Sequence, residues 1–212
     1  MLLFKSLLYR RKNKNPYIEP NHKLKCIFIH IPKVAGISIE EAIFGAKVGH
    51  KKIINYKYYN PIAFKTYYKF TFVRNPLDRM VSAFFFLKKG GRNSADKRWA
   101  EENLASINTF NDLACKMMNN KEFQNKILSW QHFRPQYTYI IDEDNQIPMD
   151  FIGKFENINN DFELLIQNLN IEAKLPHKNK NDDRYHFSYY YNNETKEFVS
   201  NLYQKDIQFF EY

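Results

Sequence analysis

Two short apolar runs, each giving way to a loop and then to an amphipathic helix, constrain this chain more than any other feature. Leu24-Lys25-Cys26-Ile27-Phe28-Ile29-His30-Ile31 reads as a buried strand. Ile31-Pro32-Lys33-Val34-Ala35-Gly36 breaks it, and Ser38 opens the amphipathic stretch Ile39-Glu40-Glu41-Ala42-Ile43-Phe44, which Gly45 stops. The layout then recurs: Tyr68 to Val73 is strand-like, Arg74-Asn75-Pro76 is a loop, and Leu77 to Lys89 is helical until Gly90-Gly91. Strands alternating with helices predict a parallel α/β sheet. Phe151-Ile152-Gly153-Lys154-Phe155 is a further strand, followed by Glu156-Asn157 and a helix reaching Leu169. Asp96 to Trp130 reads as helical, with Ile107, Phe110, Leu113, Ala114 and Met117 spaced for one buried face. Lys178 to Arg184 is a polar loop, and Glu194 to Phe210 forms a closing helix.

A length of 212 residues allows one globular domain and no second of comparable size. The division expected is a basic N-terminal tail over 1–22, containing Pro16 and Pro20, and a single domain over 23–212. With 44% hydrophobic residues the chain can bury a core, which excludes wholesale disorder, collagen and coiled coil. No stretch approaches the roughly 20 apolar residues of a membrane span. Leu2 to Leu8, interrupted by Lys5 and followed by Arg10, Arg11, Lys12 and Lys14, lacks the length and cleavage site of a signal peptide. A cytoplasmic location is therefore expected, peripheral at a membrane through a weak surface contact of the tail. Cys26 and Cys115 have neither metal-ligand nor redox spacing and read as buried free thiols.

Lysine and arginine outnumber the acids by 32 to 23, a formal charge of +9 that predicts an anionic partner. Nucleic acid, anionic lipid, polyanionic glycan and phosphorylated cofactor all satisfy that balance. The first strand-loop-helix narrows it. Lys33 lies in a loop whose following amides, Val34 to Ser38, meet the positive end of a helix dipole, and together they make an anion site. Lys33 precedes Gly36, whereas a Walker loop needs two glycines before its lysine, so a conventional nucleoside triphosphatase or nucleotide kinase is disfavoured. Taken alone, Lys33 also reads as a solvated loop lysine. In the second unit Arg74 leaves a strand and Ser82 lies eight residues on, where a guanidinium fork and a hydroxyl suit a phosphate. The alternative is that Arg74 pairs with Asp78 and Ser82 is an ordinary helix residue.

Phe28 to Ile39, with Ile31-Pro32-Lys33-Val34-Ala35-Gly36-Ile37-Ser38 at its centre, resembles the 5′-phosphosulfate loop of sulfotransferases. Phe72 to Ala83 resembles their 3′-phosphate motif, and the likeness extends through His132 to Gln136, Phe151 to Asn157, Leu175 to Lys180 and Tyr203 to Tyr212. The similarity is to the carbohydrate type that includes heparan 2-O- and chondroitin 4-O-sulfotransferases. It implies a P-loop-like three-layer fold with a central parallel sheet, and transfer of a sulfonate from 3′-phosphoadenosine 5′-phosphosulfate (PAPS) to a carbohydrate hydroxyl. Lys33, Val34, Ala35, Gly36, Ile37 and Ser38 would hold the phosphosulfate. Arg74 and Ser82 would hold the 3′-phosphate, while Asn179 and Lys180 would lie in a loop closing over the nucleotide. Relatives usually place threonines where this chain has Val34 and Ile37, so weaker cofactor binding is expected.

Sulfuryl transfer needs a base at the acceptor hydroxyl and a cation where charge grows on the leaving phosphate. Lys33 fits the cation, and His50, placed like the histidine of the heparan 2-O branch, fits the base. His30 reads as structural. His132 and Arg134 are candidates for the acceptor or cofactor cleft, and His132 and Glu156 are fallback bases. No cluster has metal-ligand spacing, so no metal is expected. The acceptor, expected to be a glycan, would be recognised by Gly45 to Tyr67 and Gly90 to Trp99. A basic nucleic-acid-binding module is the competing reading, supported by charge and aromatics but by no recognised motif, so no specific nucleic-acid partner is expected.

Overall fold

The computed structural model describes residues 2–176 and 185–212; the polar loop expected over 178–184, with Asn179 and Lys180, lies outside them. The elements run α1 (Leu2–Lys12), α2 (Glu19–Leu24), β1 (Cys26–Ile29), α3 (Gly36–Phe44), α4 (Ile53–Tyr59), α5 (Pro61–Thr66) and β2 (Tyr68–Val73). There follow α6 (Pro76–Lys88), α7 (Ser94–Leu104), α8 (Phe110–Asn119), α9 (Lys121–Ser129) and α10 (Tyr137–Ile140). Then come β3 (Phe151–Lys154), α11 (Ile158–Leu169), α12 (Asn193–Leu202) and α13 (Gln204–Phe210). The described residues form two compact units, the first built from 2–73 and 136–176, the second from 74–135 and 185–212. Among the described residues no helix is long and apolar enough to cross a membrane.

The first unit is α/β. Its three strands are parallel in the order β1-β2-β3, with Phe28 opposite Phe70 and Phe70 opposite Phe151. A parallel sheet is covered on both faces, so its strands are continuously apolar rather than alternating. Cys26, Ile27, Phe28 and Ile29 are accordingly all fully buried, and burial pushes the Cys26 thiol up to about 12, out of the range of a reactive thiolate. Cys115, expected to be buried, is only half-buried. Gly153 is required in β3 because a Cβ there would stand 2.4 Å from the buried Phe72 ring. The fold class is thus the α/β architecture with a parallel sheet flanked by helices that the strand-loop-helix pattern implies.

The segment read as a tail is helical instead. Ser6 Oγ and Arg10 Nε of α1 donate to the Tyr59 carbonyl at the end of α4. Tyr17 is buried among His22, Tyr56 and Tyr67, and its hydroxyl donates to the Tyr56 carbonyl. Fully buried Asn21 donates to the Cys26 carbonyl at the start of β1. The basic residues hid this packing in the sequence, because they occupy the exposed positions while the aromatics do the anchoring.

The second unit is helical around Met80, Val81, Phe84, Leu87, Leu104, Phe110, Leu113, Met117, Ile127 and Phe133. The single helical stretch expected over Asp96 to Trp130 is three helices. Thr109 and Asp112 form a capping box at α8, and Asn120 accepts from Phe123 N to cap α9. The closing helix also breaks, at Tyr203, whose buried hydroxyl donates to the Phe133 carbonyl.

Candidate functional site

In the first unit β1 ends at Ile29 and α3 starts at Gly36, so the turn is made by His30 to Ala35. Lys33 has φ 74° and Ala35 φ 61°, both left-handed, on either side of Val34. Alternation of this kind turns successive N–H groups toward one point, the geometry of an anion nest. Ser38 N and Ile39 N donate to the Ala35 carbonyl, so the positive end of the α3 dipole is presented by the turn that precedes them. Gly36 is needed for close approach: a Cβ there would sit 2.1 Å from Cδ2 of His30. Val34 is fully buried and serves the core, and Ser38 is buried as well. Ile37 is 38% exposed in the first turn of α3. A loop with amides, a lysine and no carboxylate of its own is chemically suited to a phosphate or phosphosulfate, even without side-chain hydroxyls at positions 34 and 37.

His30, read as structural, is buried beneath this loop, with Nδ1 2.8 Å from Glu40 Oε1. The same oxygen accepts from Val48 N and Gly49 N, each at 2.9 Å. Burial pulls the Glu40 carboxyl upward. The hydrogen bond and charge of His30 and the two amides outweigh it, so its pKa lies below the ordinary value of 4.5. His50 follows directly: its Nδ1 is 2.9 Å from the His30 carbonyl, and the two imidazoles meet edge to face at 4.2 Å between centroids. A carbonyl only accepts, so the neutral His50 ring carries its proton on Nδ1 and its basic lone pair on Nε2. Lys33, His30 and His50 therefore belong to one small region of one unit. Glu40 was missed by sequence reasoning. Its signal was there, since Gly36, Glu40 and Phe44 are spaced along one buried stripe of α3, and a carboxylate on such a stripe needs a partner.

The second unit begins with Arg74, the residue after β2. Asn75 Oδ1 caps α6 by accepting from Leu77 N and Asp78 N, with Pro76 at the first helical position. Asp78 and Ser82 are one turn apart on α6 and share a face. Arg74, 8% exposed, donates from Nε to Asp78 Oδ2 at 2.7 Å and from Nη1 to Ser82 Oγ at 3.2 Å. The pairing with Asp78 is the alternative reading of Arg74; the carboxylate fixes the guanidinium, and the Ser82 hydroxyl accepts from its Nη1. Such a preset fork suits an anion.

His132 is buried in the second unit with Nε2 3.0 Å from Asp96 Oδ1 and its ring against Phe86. That pairing gives it a packing role in the core. Arg134 is half-buried and donates to the Ser129 carbonyl, while its own carbonyl accepts from the fully buried Arg79. Glu156 is exposed in a 3-10 turn, Phe155–Asn157, of the first unit. Among the described residues, Asp142, Glu143 and Asp144 bring carboxylate oxygens within 4.8 Å of one another, and the Lys57 ammonium is 3.0 Å from Asp142 and 3.1 Å from Glu143.

A family model described as the sulfotransferase family matches residues 15–212. No curated protein and no solved structure matches the chain.

Proposed function

Because the chain belongs to the sulfotransferase family, and so is a transferase of sulfonate groups, we propose that its donor is PAPS and its acceptor a hydroxyl on a glycan. The observation that carries the donor assignment is the His30 to Ala35 turn, whose left-handed Lys33 and Ala35 lead into the start of α3. Arg74, just after β2, and Ser82 of α6 support it, as a second anion site suited to a 3′-phosphate. The exposed Lys47 and Lys51, close in sequence to His50, favour an acidic glycan as acceptor.

PAPS supplies a sulfonate already joined to a phosphate leaving group. The residues of the chain do the rest. The loop amides and Lys33 bind the phosphosulfate end, and the Lys33 ammonium neutralises the charge that develops on the departing phosphate. Arg74, held by Asp78, and Ser82 bind the 3′-phosphate, which ATP lacks. His50 takes the acceptor hydroxyl proton at Nε2 while its Nδ1–H stays on the His30 carbonyl. The acceptor oxygen forms its bond to sulfur as the sulfur–oxygen bond to the phosphate breaks, and the proton ends on His50.

Calorimetric titration with the desulfonated nucleotide, 3′-phosphoadenosine 5′-phosphate, against ATP tests the donor. We expect ATP to bind at least about tenfold more weakly, and Arg74→Ala to lose roughly 10- to 100-fold of affinity for the desulfonated nucleotide, the value of a charged hydrogen-bond pair. Equal affinity for ATP overturns the assignment. Retention of generic DNA with a steep salt slope, and no nucleotide binding, supports the nucleic-acid reading instead.

A further inference from the structure

We infer that Glu40 is a positioning residue for His50, holding that histidine through hydrogen bonds from His30 and from the two amides that precede it in the chain. This rests on the reading of His50 as the base, and adds the group that holds in place the contact selecting which ring nitrogen carries the lone pair.

One oxygen organises the arrangement. Glu40 Oε1 accepts from His30 Nδ1 at 2.8 Å and from Val48 N and Gly49 N at 2.9 Å each. The two amides fix the backbone at the residues just before His50, and His30 supplies the carbonyl on which His50 Nδ1 rests. The His30 ring is fixed in turn on its other sides, stacked on Phe28 and lying where a Cβ of residue 36 would be. Glu40 thus holds the His30 ring on one side and the two residues before His50 on the other, bracketing the contact that selects the Nδ1–H form of His50 without touching either of its atoms. Because α3 carries Glu40 and also receives the His30 to Ala35 turn at its start, the same helix sets the base and the donor-binding amides in one frame.

What this device needs from residue 40 is an acceptor at the right reach, more than a charge. Two variants separate these. Glu40→Gln keeps an oxygen at the same distance and loses the charge; Glu40→Asp keeps the charge and draws the oxygen back by one methylene. The readouts are the ring-nitrogen NMR shifts of isotope-labelled histidine, with the His50 signals identified by their loss in His50→Ala, and turnover and nucleotide affinity measured separately. We expect Glu40→Asp to convert His50 to a mixture of tautomers and to lower turnover about 10- to 100-fold, the scale of a catalytic group displaced by an ångström, with nucleotide affinity within about twofold of the parent. Glu40→Gln should keep the Nδ1–H signals and most of the turnover, and Glu40→Ala, a second variant without reach, should behave as Glu40→Asp. Unchanged His50 signals and turnover in Glu40→Asp overturn the proposal, as does a loss in Glu40→Gln equal to that in Glu40→Asp. Full turnover in His50→Ala overturns the base reading separately, because the tautomer change in Glu40→Asp does not depend on it.

Discussion

Arg74 and Glu40 show two ways in which a buried charge is kept. Arg74 spends one edge on Asp78 and presents the other beside Ser82, so its orientation is set before any ligand arrives. Glu40 is surrounded by donors, and its depressed pKa makes its contribution to stability dependent on pH. A carboxyl with a folded-state pKa below its unfolded value stabilises the fold fully above the unfolded value, near 4.5 here, and loses that contribution as pH falls through the folded-state value. The difference in unfolding free energy between the parent and Glu40→Gln, measured by denaturant titration, should therefore be constant from pH 7 down to about 5 and shrink below about 4.5. A gap that widens on acidification contradicts this. At this scale the sequence offered Lys33, Arg74 and Ser82 as candidates through the two strand-loop-helix units, and His50 through its placement in the family resemblance. It did not display Glu40, whose partners His30, Val48 and Gly49 are brought to it only by the folded turn. Nor did it display that His132 is taken up by Asp96, a partner 36 positions away.

Among the elements, the turn from β1 into α3 carries the most specific demand. Gly36 gives His30 its space, so Gly36→Ala should destabilise the protein by about 1–3 kcal/mol, the usual cost of overpacking, and weaken binding of the desulfonated nucleotide as the loop shifts. Gly45 at the other end of α3 is the comparison. Its φ of 58° makes Gly45→Ala cost roughly 1 kcal/mol of left-handed strain, but a Cβ there meets nothing within 4 Å, and nucleotide binding should be unchanged. Thermal melts and calorimetry on the two variants check both; equal effects on binding would remove the special role of Gly36. The strands were legible because a buried parallel sheet writes continuous apolar runs, and β2 spans the Tyr68 to Val73 run that was read from the sequence. The helical breaks were less so. Ile107 is buried as expected yet lies in the connection between α7 and α8, since helical spacing of apolar residues continues across a capped break. The helices of the N-terminal segment were obscured by its charge.

Over the whole molecule, a charge of +9 called for an anion without naming one. Within the folded chain Arg74 is paired with Asp78 and Lys57 with the acidic turn at Asp142 to Asp144, and the proposed donor is the anion that Lys33 and the far edge of Arg74 would meet. The division into a unit built on the parallel sheet and a unit built on helices was not visible in the sequence. Each unit joins two stretches that are distant along the chain, and composition along the chain does not report which distant stretches share a core. The central claim, that these parts serve sulfonate transfer from PAPS, is tested most directly by incubating the full chain with radiosulfur-labelled donor and a panel of acidic glycans, and counting label recovered in the glycan fraction. The account predicts label incorporation that falls by orders of magnitude in both Lys33→Ala and His50→Ala, whereas incorporation undiminished in Lys33→Ala, or a parent protein that binds the donor and labels no glycan, would contradict it.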